Sequence, residues 1–412
     1  MHAIVVGGSM GGLIAGLVLR DVGCDVTVLE RSRVTLEGRG AGIVLHPSTI
    51  RYLTHEGLYA PQQIGAPARK LRYLRRDGSV ASEQPCSYRF ISYFWLYEAL
   101  LTQFGRDRYH LGHELAGFEQ DADGVTVHLT EGGSRRCDLL VCADGIHSTA
   151  RGLLLPQVSP SYAGYVGWRG TVSEAQLTGA SFGALHEAIT YHLLRRGHIL
   201  AYPIPDFDGS VSPARWRRTR HPTLEPGHRL TNWVWYRNVT EGPELDDLLT
   251  DSSGVRRSVS VAPGAMQEHH VKELREVAAR DLPPSLAEML TKTAEPFVQV
   301  VFDIEVPRMA FGRVCLIGDA AFALRPHAAA GTAKAAEDAW KLAEALEACS
   351  LDVERALMRW EPGQLALGRS ALGRTRDAGN RVQMEGTWRD GEPLPFGLYE
   401  TGDSALLTPY SR

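Results

Sequence analysis

The first thirty residues constrain the fold of this chain more than any other segment. An apolar run at 3–6 (AIVV) is followed by a glycine-rich turn at 7–12 (GGSMGG), by apolar residues at helical spacing over 11–23, and by a second β-branched run at 25–29 (DVTVL). A strand, a tight glycine turn, a helix and a second strand form the unit in which a helix N-terminus holds a phosphate. The chain is therefore predicted to begin with a dinucleotide-binding α/β unit.

The glycine turn departs from the usual G-x-G-x-x-G pattern at one position. Ser9 stands where the second glycine is expected, and it is still small enough to let a pyrophosphate approach the backbone. Gly7 permits the tight turn, and Gly12 lets the helix pack on the strand. Glu30 closes the second strand, where a carboxylate can accept hydrogen bonds from a ribose diol. Together these features predict a nucleotide site, and the alternative is a turn that only packs against a neighbouring element.

A second motif follows another predicted buried strand. The run LLVCADG at 139–145 places Asp144 at the end of that strand, with Ser148 and Arg151 shortly after it. Taken alone, an Asp–Gly pair at a strand end is as consistent with a simple turn as with a ligand site.

A third motif lies nearer the C-terminus. A strand predicted at 313–317 leads into Gly318 and Asp319. A loop containing proline then leads to Gly331, where a helix predicted over 332–347 begins. A carboxylate at the carboxyl end of a strand suits a sugar hydroxyl, and a helix N-terminus suits a developing negative charge.

The middle of the chain has a different residue pattern. Between 160 and 240, aromatic and β-branched runs (YAGYVGWRGTV, ITYHLL, HILAYPIP, NWVWYRNV) alternate with turns, which predicts an antiparallel sheet. The polar, Pro- and Arg-rich stretch at 206–229 is predicted to be an exposed loop. Helices are predicted near 48–57, 95–104, 243–250 and 265–280, and a helical stretch at 352–385 should be broken at Pro362.

Composition excludes several classes of protein. Hydrophobic residues make up 44% of the 412 residues and charged residues 22%, with a formal charge of −4 and no basic block, which favours a globular protein without a nucleic-acid surface. No apolar run approaches the roughly 18 residues of a membrane span, and the N-terminus lacks the basic segment of a signal peptide. The six scattered cysteines form no C-x-x-C pair, so they predict free thiols in the cytoplasm and no metal site.

The three motifs, in this order and at this spacing, resemble the FAD-binding set of the single-component flavoprotein aromatic hydroxylases, the p-hydroxybenzoate hydroxylase type. The resemblance covers essentially the whole chain. Within that family, the segments VVGGSMGGL, GAGIVLHP, YAGYVGWRG, HILAYPIP, TEGPELDD and GDAAFALRPHAAAG are most similar to the 2,6-dihydroxypyridine hydroxylases. That subfamily also has Ser at the second glycine position, so the resemblance implies that the turn holds FAD.

Motifs and resemblance together predict an α/β (α+β) fold with three parts. A Rossmann-like FAD-binding domain is expected at 1–160 and 297–350, and an intergrown antiparallel-sheet substrate domain at 161–296. A C-terminal helical segment and tail should follow at 351–412. The sequence leaves open whether the chain forms a homo-oligomer.

The resemblance also implies roles on the adenosine side of the cofactor. The residues of the first turn would cradle the pyrophosphate, Glu30 would bind the adenosine ribose, and Leu115 would offer its backbone to the adenine. Asp144 would lie near the pyrophosphate and near the route of NAD(P)H.

On the flavin side, the resemblance implies that Asp319 binds the ribityl chain and that Ile43 lies along the ring. Thr332 and Ala333 would direct backbone N–H groups at the pyrimidine edge. The predicted cofactor-binding residues are Gly7, Ser9, Met10, Gly11, Gly12, Glu30, Arg31, Ile43, Leu115, Asp144, Gly318, Asp319, Gly331, Thr332 and Ala333.

Three positions depart from the family pattern. Many relatives have Arg where this chain has Tyr93, so the guanidinium that the family pattern offers to a phosphate is missing at this position. The usual Asn after the last glycine is Ala333 here, which leaves only its backbone to serve. Phe322 stands where relatives often have His.

The implied reaction has two halves. NAD(P)H reduces the bound FAD, although no second dinucleotide domain is visible that would hold NAD(P)H stably. The reduced flavin then reacts with O2 to give a C4a-hydroperoxyflavin, which transfers OH to an electron-rich hydroxypyridine or related hydroxyaromatic ring. The protein's part is positioning, electrostatics and exclusion of water.

An activated ring must lose a proton, so a nearby base is useful. His46 and His327 are the candidate catalytic bases, and a purely structural role is the alternative for each. Arg169 could orient an anionic substrate or could belong to a structural ion pair. The candidate substrate residues are Trp168, Tyr202, Trp235 and Pro326.

Other functions remain open from the sequence. The substrate could be a pyridinol or phenol of a natural-product pathway, such as a piericidin-like ring. The same fold could serve a flavin dehydrogenase, reductase or halogenase. A non-enzymatic dinucleotide sensor is a third class, but it would not need the constellation around Gly318 and Asp319 that grips a flavin ring.

Overall fold

The computed structural model describes residues 1–36, 42–206 and 224–403. Most of the loop predicted at 206–229, the first two residues of GAGIVLHP and the tail beyond residue 403 lie outside the described residues. All six cysteines lie in the described part, and each is a free thiol.

The strands are numbered in chain order. They are β1 (His2–Val6), β2 (Asp25–Glu30), β3 (Gly42–Val44), β4 (Ala66–Leu74), β5 (Val80–Ser92), β6 (Tyr109–Leu111), β7 (Leu115–Gln120), β8 (Val125–Leu129), β9 (Ser134–Cys137), β10 (Leu139–Cys142), β11 (Ser161–Ser173), β12 (Ala188–Leu194), β13 (Gly197–Ile204), β14 (Leu230–Asn238), β15 (Ser260–Val261), β16 (Phe297–Asp303), β17 (Ala310–Phe311) and β18 (Val314–Leu316).

The helices are α1 (Met10–Asp21), α2 (Pro47–His55), α3 (Pro61–Ile64), α4 (Tyr93–Phe104), α5 (Thr149–Leu154), α6 (Gly179–Leu185), α7 (Pro243–Leu248), α8 (Glu268–Asp281), α9 (Pro284–Lys292), α10 (Gly331–Ala348) and α11 (Val353–Gly379). Short 3-10 turns occur at Glu174–Gln176, Gly318–Ala320 and Pro326–Ala328, and a π-helical turn at Asn380–Glu385 follows α11.

The first sheet carries the three sequence motifs on adjacent strands. Its order is β17-β18-β10-β1-β2-β6, and all of its strands are parallel except β17. Their aliphatic side chains are buried in one core together with α1 and α10. Because β1, β10 and β18 are parallel neighbours, the loops at their carboxyl ends meet at one edge, where α/β sheets bind ligands.

The second sheet has nine strands in the order β15-β16-β11-β14-β13-β12-β4-β5-β3, and a small third sheet contains β7-β8-β9. Neighbouring strands of the nine-stranded sheet are antiparallel, except for β12 and β4, which are parallel. It takes three strands from the segment 42–92 and one from 297–303, so sheet membership does not follow the division of the chain expected from the sequence. The domain boundaries stay a prediction.

Side-chain alternation gives the nine-stranded sheet two different faces. Trp168, Trp235 and Ile199 are register partners on β11, β14 and β13, and they pack into a core with α7, α8 and α9. The next residue of each strand must point to the opposite face, because successive side chains of a strand alternate. That opposite face is turned towards the first sheet.

Two local predictions were wrong. α11 runs unbroken through Pro362. A proline removes the hydrogen bond to the carbonyl four residues earlier, here that of Met358, a residue that is 69% exposed, so water can reach this part of the helix. Arg229, at the end of the loop predicted as exposed, is fully buried, and its Nη2 lies 2.9 Å from Oε1 of Glu174.

Candidate active site

A cleft of about 960 Å³ lies between the carboxyl edge of the first sheet and one face of the nine-stranded sheet. Loops after β1, β10 and β18 form one wall, and side chains of β11, β12, β13 and β14 form the other. The three sequence motifs therefore share one cavity with the aromatic sheet.

The GGSMGG turn leaves room for nothing larger than glycine at two points. Gly7 has a φ of 100°, and a Cβ there would lie 2.2 Å from the carbonyl oxygen of Ala143. A Cβ at Gly12 would lie 1.8 Å from the carbonyl oxygen of Gly7. α1 begins directly after Ser9, with no side-chain cap and no acidic residue in its first turn. Its first N–H groups are therefore left for an anion in the cleft.

Two departures from the family pattern contact each other. The hydroxyl groups of Ser9 and Tyr93 are hydrogen-bonded at 2.7 Å, and both residues line the cleft. Ser9 replaces a glycine and Tyr93 replaces an arginine, so the pair brings two hydroxyl groups to the region where the resemblance expects a phosphate.

Glu30 is held in place by backbone donors. Its Oε2 accepts the N–H of Gly8 and its Oε1 accepts the N–H of Ser32, both at 2.8 Å. The side chain lines the cleft although the residue is only 6% exposed. Each carboxylate oxygen keeps a further lone pair, so the group can accept hydrogen bonds from a diol.

The second motif is tied to the third. Asp144 accepts hydrogen bonds from the Ser148 hydroxyl at 2.5 Å and from the N–H of Ala150 at 3.2 Å, and burial raises its pKa. The buried Arg151 donates to the carbonyl of Ile146 at 2.5 Å and to that of Ala320, in the third motif, at 3.1 Å.

Asp319 is an acidic group of the cleft without a hydrogen-bond donor among the described residues. Burial raises the pKa of its carboxyl to about 6, and the positive charge of Arg151 opposes that shift. It accepts no hydrogen bond from any residue that the structure describes. A half-buried carboxylate without donors is unfavourable, so this position fits a ligand that donates hydroxyl hydrogens.

α10 also presents its N-terminus to the cleft. Its N-cap is Ala330, whose methyl group cannot accept a hydrogen bond from the first turn of the helix. Gly331 and Thr332 line the cavity. Gly318 is fixed nearby by Asp338, which accepts the Gly318 N–H at 2.9 Å. Two uncapped helix N-termini, those of α1 and α10, thus face one cavity, and both favour negative charge there.

The cleft brings together most of the predicted cofactor residues. Gly12 and Ala333 lie behind its wall, where Gly12 allows the turn to close and Ala333 is buried. The predicted residues that line the cleft are Gly7, Ser9, Met10, Gly11, Glu30, Arg31, Ile43, Leu115, Asp144, Gly318, Asp319, Gly331 and Thr332. Their individual roles stay predictions.

The structure brings two of the four predicted substrate residues to the cleft. Tyr202 and Pro326 line the cleft, whereas Trp168 and Trp235 point to the opposite face of the sheet. The reason is the strand register, which places both tryptophans in the row that packs on α7, α8 and α9. The hydroxyl of Tyr202 donates to the carbonyl of Gly42 at 2.7 Å and so helps to hold β3 against the sheet.

His46 does not line the cleft, so the structure does not support it as a base. Its Nδ1 accepts the N–H of Ser48 at 3.2 Å, which caps α2. Its Nε2 lies 3.2 Å from Oδ1 of Asp403. Both ring nitrogens therefore serve to hold α2 and the C-terminal segment.

His327 does line the cleft, but a second histidine that the sequence analysis missed lies beside it. The ring centroids of His327 and His198 are 5.4 Å apart, and both side chains line the cleft. Burial lowers the pKa of His198 to about 4 and that of His327 well below its usual value, so both imidazoles are neutral near pH 7. Strand alternation relative to Tyr202 could have identified His198.

Arg169 is the cation of this wall. It lines the cleft. Burial raises the pKa values of Tyr202 and Tyr236, and the positive charge of Arg169 opposes that shift. Its Nε is buried and donates to no acceptor in the described chain, and no described carboxylate pairs with the guanidinium. Of the two alternatives that the sequence left open, the structural ion pair is therefore absent from the described residues.

The expected absence of a metal stays a prediction. Among the described residues, Asp247, His269 and His270 bring three ligand atoms within 4.8 Å of one another, but none of the three lines the cleft and two of them are exposed. Within the described part of the chain, no helix is both long and apolar enough to cross a bilayer.

Comparisons with known proteins agree with this geometry. A family model described as an FAD binding domain matches residues 1–192 and 266–353, and one described as FAD binding domain-like matches residues 162–303. The chain is 38% identical over 410 residues to the 2,6-dihydroxypyridine 3-monooxygenase of Paenarthrobacter nicotinovorans, covering 98% of this chain and 97% of that protein.

Solved structures are similar over the same extent. The 2,6-dihydroxypyridine-3-hydroxylase of Arthrobacter nicotinovorans superposes with a TM-score of 0.88 and 36% identity, covering 97% of each chain. A Klebsiella pneumoniae protein, HpxO, complexed with FAD and uric acid, superposes with a TM-score of 0.74 and 23% identity over 93% of this chain and 89% of that one, a likeness in fold.

Proposed function

This chain belongs to the FAD-dependent aromatic-ring monooxygenases, and we propose that its substrate is a small electron-rich hydroxypyridine or a closely related hydroxyaromatic ring. Enzymes of this kind use NAD(P)H and O2 with the bound flavin. The whole-length similarity to a 2,6-dihydroxypyridine 3-monooxygenase supports the substrate class.

The residues of the cleft fit FAD. The glycine turn and the N-terminus of α1 offer backbone donors to a pyrophosphate, and Glu30 offers acceptors to a ribose. Asp319 lacks the donors that a ribityl hydroxyl would supply. Bound flavin supplies electron transfer from NAD(P)H and the activation of O2 for hydroxylation.

The protein's own residues prepare the site for negative charge. The N-terminus of α10 directs its dipole at the cleft, an effect worth about 0.3–1 kcal/mol when exposed and up to about 2 kcal/mol when partly buried. The aromatic wall excludes water and offers flat surfaces to a ring.

The observation that carries the substrate proposal is that Arg169 pairs with no carboxylate among the described residues. A half-buried guanidinium with an orphaned Nε requires an acceptor in the cleft, and an oxygen substituent of an aromatic ring supplies one. Tyr202 and Tyr236 flank that position. A ring whose oxygen carries negative charge is also the electron-rich ring that the hydroxylation needs.

The proposal is tested by NAD(P)H consumption of the FAD-loaded enzyme with a panel of hydroxypyridines, simple phenols, hydroxybenzoates and unsubstituted pyridine. Hydroxypyridines are expected to accelerate NAD(P)H oxidation most and unsubstituted pyridine not at all. Equal rates with and without every ring would contradict a ring hydroxylase, and acceleration confined to hydroxybenzoates would contradict the substrate class.

A further inference from the structure

His198 occupies a central position on the substrate wall. It lies on β13 opposite Tyr236 of β14, and its side chain is 97% shielded from solvent while still lining the cleft. The ring of Tyr191 stacks parallel to it, with an interplanar angle of 8°, and that of Tyr236 lies 4.8 Å away on centroids. These contacts fix the plane of the imidazole.

A chain of three hydrogen bonds fixes which nitrogen of His198 carries the proton. Nδ2 of Asn238 lies 2.9 Å from the backbone carbonyl oxygen of Gln383, and a carbonyl oxygen can only accept. Oδ1 of Asn238 must then accept, and Nε2 of Gln383 donates to it at 3.0 Å. That leaves Oε1 of Gln383 as the acceptor for Nδ1 of His198, also at 3.0 Å.

The consequence is a defined tautomer. Nδ1 of His198 carries the hydrogen and donates it to Gln383, so Nε2 has a lone pair. Nε2 accepts no hydrogen bond from any residue that the structure describes. Since Nδ1 is used by the π-helical turn that carries Gln383, Nε2 is the nitrogen available to a ligand in the cleft.

His327 is arranged in the opposite way. Its Nε2 lies 2.7 Å from the hydroxyl of Tyr165, and Arg325 lies against the ring of that tyrosine. Either Nε2 or the hydroxyl oxygen can be the donor, and in both cases Nε2 of His327 is hydrogen-bonded within the protein. Nε2 of His327 is therefore already occupied by a hydroxyl group of the protein, whereas Nε2 of His198 has no partner among the described residues.

We infer that Nε2 of His198 is the base that accepts the proton of the substrate's ring hydroxyl, a role that rests on the proposed function. The O–H bond of the substrate breaks, its proton forms the Nε2–H bond of an imidazolium, and the electron pair stays on the ring oxygen. Arg169 stabilises that oxyanion from the same face of the sheet, since it is a register partner of Val234 on β14, which lies between β11 and β13.

Three titratable rings of the described part of the chain lie against His198. Tyr191 faces it from β12, Tyr236 from β14 and His327 from the turn before α10, and all three are neutral near pH 7. No described carboxylate pairs with His198, so the negative charge that favours its protonation must come from the bound ring.

Two variants separate the base from a structural role. His198→Asn keeps an amide near the position of Nδ1, where it can still donate to Gln383, but it removes the acceptor at Nε2. His198→Gln places an amide near the position of Nε2 and gives up the contact with Gln383. His192→Asn is the matched control, because His192 is a buried histidine of the same sheet whose side chain does not line the cleft.

The test compares the dissociation constants of 2,6-dihydroxypyridine and 2,6-dimethoxypyridine for each FAD-loaded protein. The change in flavin absorbance on titration reports binding. The dimethoxy compound cannot donate a hydrogen bond from its ring oxygens. Its larger size affects binding to every variant alike, so it cancels when the variants are compared. The wild type and His192→Asn are expected to favour the hydroxyl compound by at least tenfold, and His198→Asn should lose that preference. His198→Gln should keep part of the preference but lose kcat, because an amide accepts a hydrogen bond without taking the proton.

For His198→Asn the expected fall in kcat is about 10²- to 10⁴-fold, the usual contribution of a general base. A His198→Asn protein that holds FAD and retains the wild-type preference and kcat would overturn the role of His198 alone. If neither ring binds to the wild-type holoenzyme, the proposed substrate class is contradicted, and the role of His198 with it.

Discussion

The two halves of the cleft are built in different ways. The half predicted to hold the cofactor (the cofactor half) presents backbone groups at strand ends and helix N-termini, together with the carboxylates of Glu30 and Asp319. The half proposed to hold the substrate (the substrate half) presents side chains that alternate along strands, among them Arg169, His198 and Tyr236. The first half is suited to hold one ligand permanently, whereas the second can change its specificity through single side chains.

This contrast predicts that substitutions in one half leave the function of the other intact. The largest effect is expected from Asp319→Ala, which should weaken FAD binding by about 100-fold. Hydrogen bonds to a charged group are worth about 1.5–3 kcal/mol, and each 1.4 kcal/mol is tenfold. Quenching of flavin fluorescence measures the dissociation constant. Asp319→Asn, which keeps an acceptor oxygen, is the control and should lose less; unchanged affinity in the alanine variant would remove Asp319 from the site.

The next largest effect is expected in the substrate half. Arg169→Met should lower kcat/KM for a hydroxypyridine by roughly 10- to 50-fold, because the ring oxyanion loses a charged donor. Arg169→Lys keeps the charge and should recover part of the loss. FAD affinity should be unchanged in both, and a loss of flavin in Arg169→Met would show that the two halves are not independent.

The pH dependence of stability should have opposite signs in the two halves. His198 has a folded-state pKa lowered to about 4, so its contribution to stability is present above pH 6.5 and is lost as pH falls towards 4. Asp319 has a raised pKa of about 6, so protonation between pH 6 and pH 4 stabilises the FAD-free protein.

Each group changes the free energy of unfolding by at most about 1.4 kcal/mol per pH unit in its window, or roughly 1–2 kcal/mol between pH 6.5 and pH 5. Denaturant unfolding of the FAD-free protein measures this. Relative to the wild type, His198→Asn should lose less stability on acidification and Asp319→Asn should lose more. If the free energy of unfolding depended on pH in the same way in all three proteins, this prediction would be contradicted.

The two faces of the substrate sheet allow a further comparison at neighbouring positions. Trp235→Phe should reduce stability by about 1 kcal/mol and leave kcat unchanged, because the ring packs on α7, α8 and α9. Tyr236→Phe should change kcat or KM while the melting temperature changes less, because Tyr236 lines the cleft. Thermal unfolding and steady-state kinetics of both variants test this. If Trp235→Phe changed kcat or KM and Tyr236→Phe did not, the assignment of the two faces would be wrong.

The smallest effect is expected from the hydroxyl pair of the cofactor half. Ser9→Gly and Tyr93→Phe should each weaken FAD binding by about three- to fivefold, since a neutral hydrogen bond contributes about 0.5–1.5 kcal/mol. Because the two hydroxyls contact each other, the double variant should lose less than the product of the two single losses. Strict multiplication of the losses would show that the hydroxyls act separately.

Most of the predicted cofactor residues line one cleft because each of their motifs is contiguous in the chain. A strand, a glycine turn and a helix are adjacent in the chain, so local spacing alone brings residues such as Gly7, Ser9 and Glu30 to one cleft. The resemblance to a known family added Leu115 and Ile43, which no local pattern would have identified.

The substrate half was predicted less well because its geometry depends on strand register. Trp168 and Trp235 are aromatic residues in the right strands, but a shift of one residue along a strand reverses the face. His198 was missed although it has the same parity as Tyr202 on one strand. Nothing local in the sequence shows that the Asn238–Gln383 pair, which joins β14 to the turn after α11, sets the tautomer of His198.

The most direct test of an FAD-dependent hydroxylase acting on a hydroxypyridine is turnover of the wild-type holoenzyme with 2,6-dihydroxypyridine, NAD(P)H and ¹⁸O-labelled O2, with the product analysed by mass spectrometry. The expected product carries one additional oxygen, next to an existing oxygen substituent, and that oxygen is labelled. An unlabelled product, or NAD(P)H oxidation that releases only hydrogen peroxide with every hydroxypyridine tried, would contradict it.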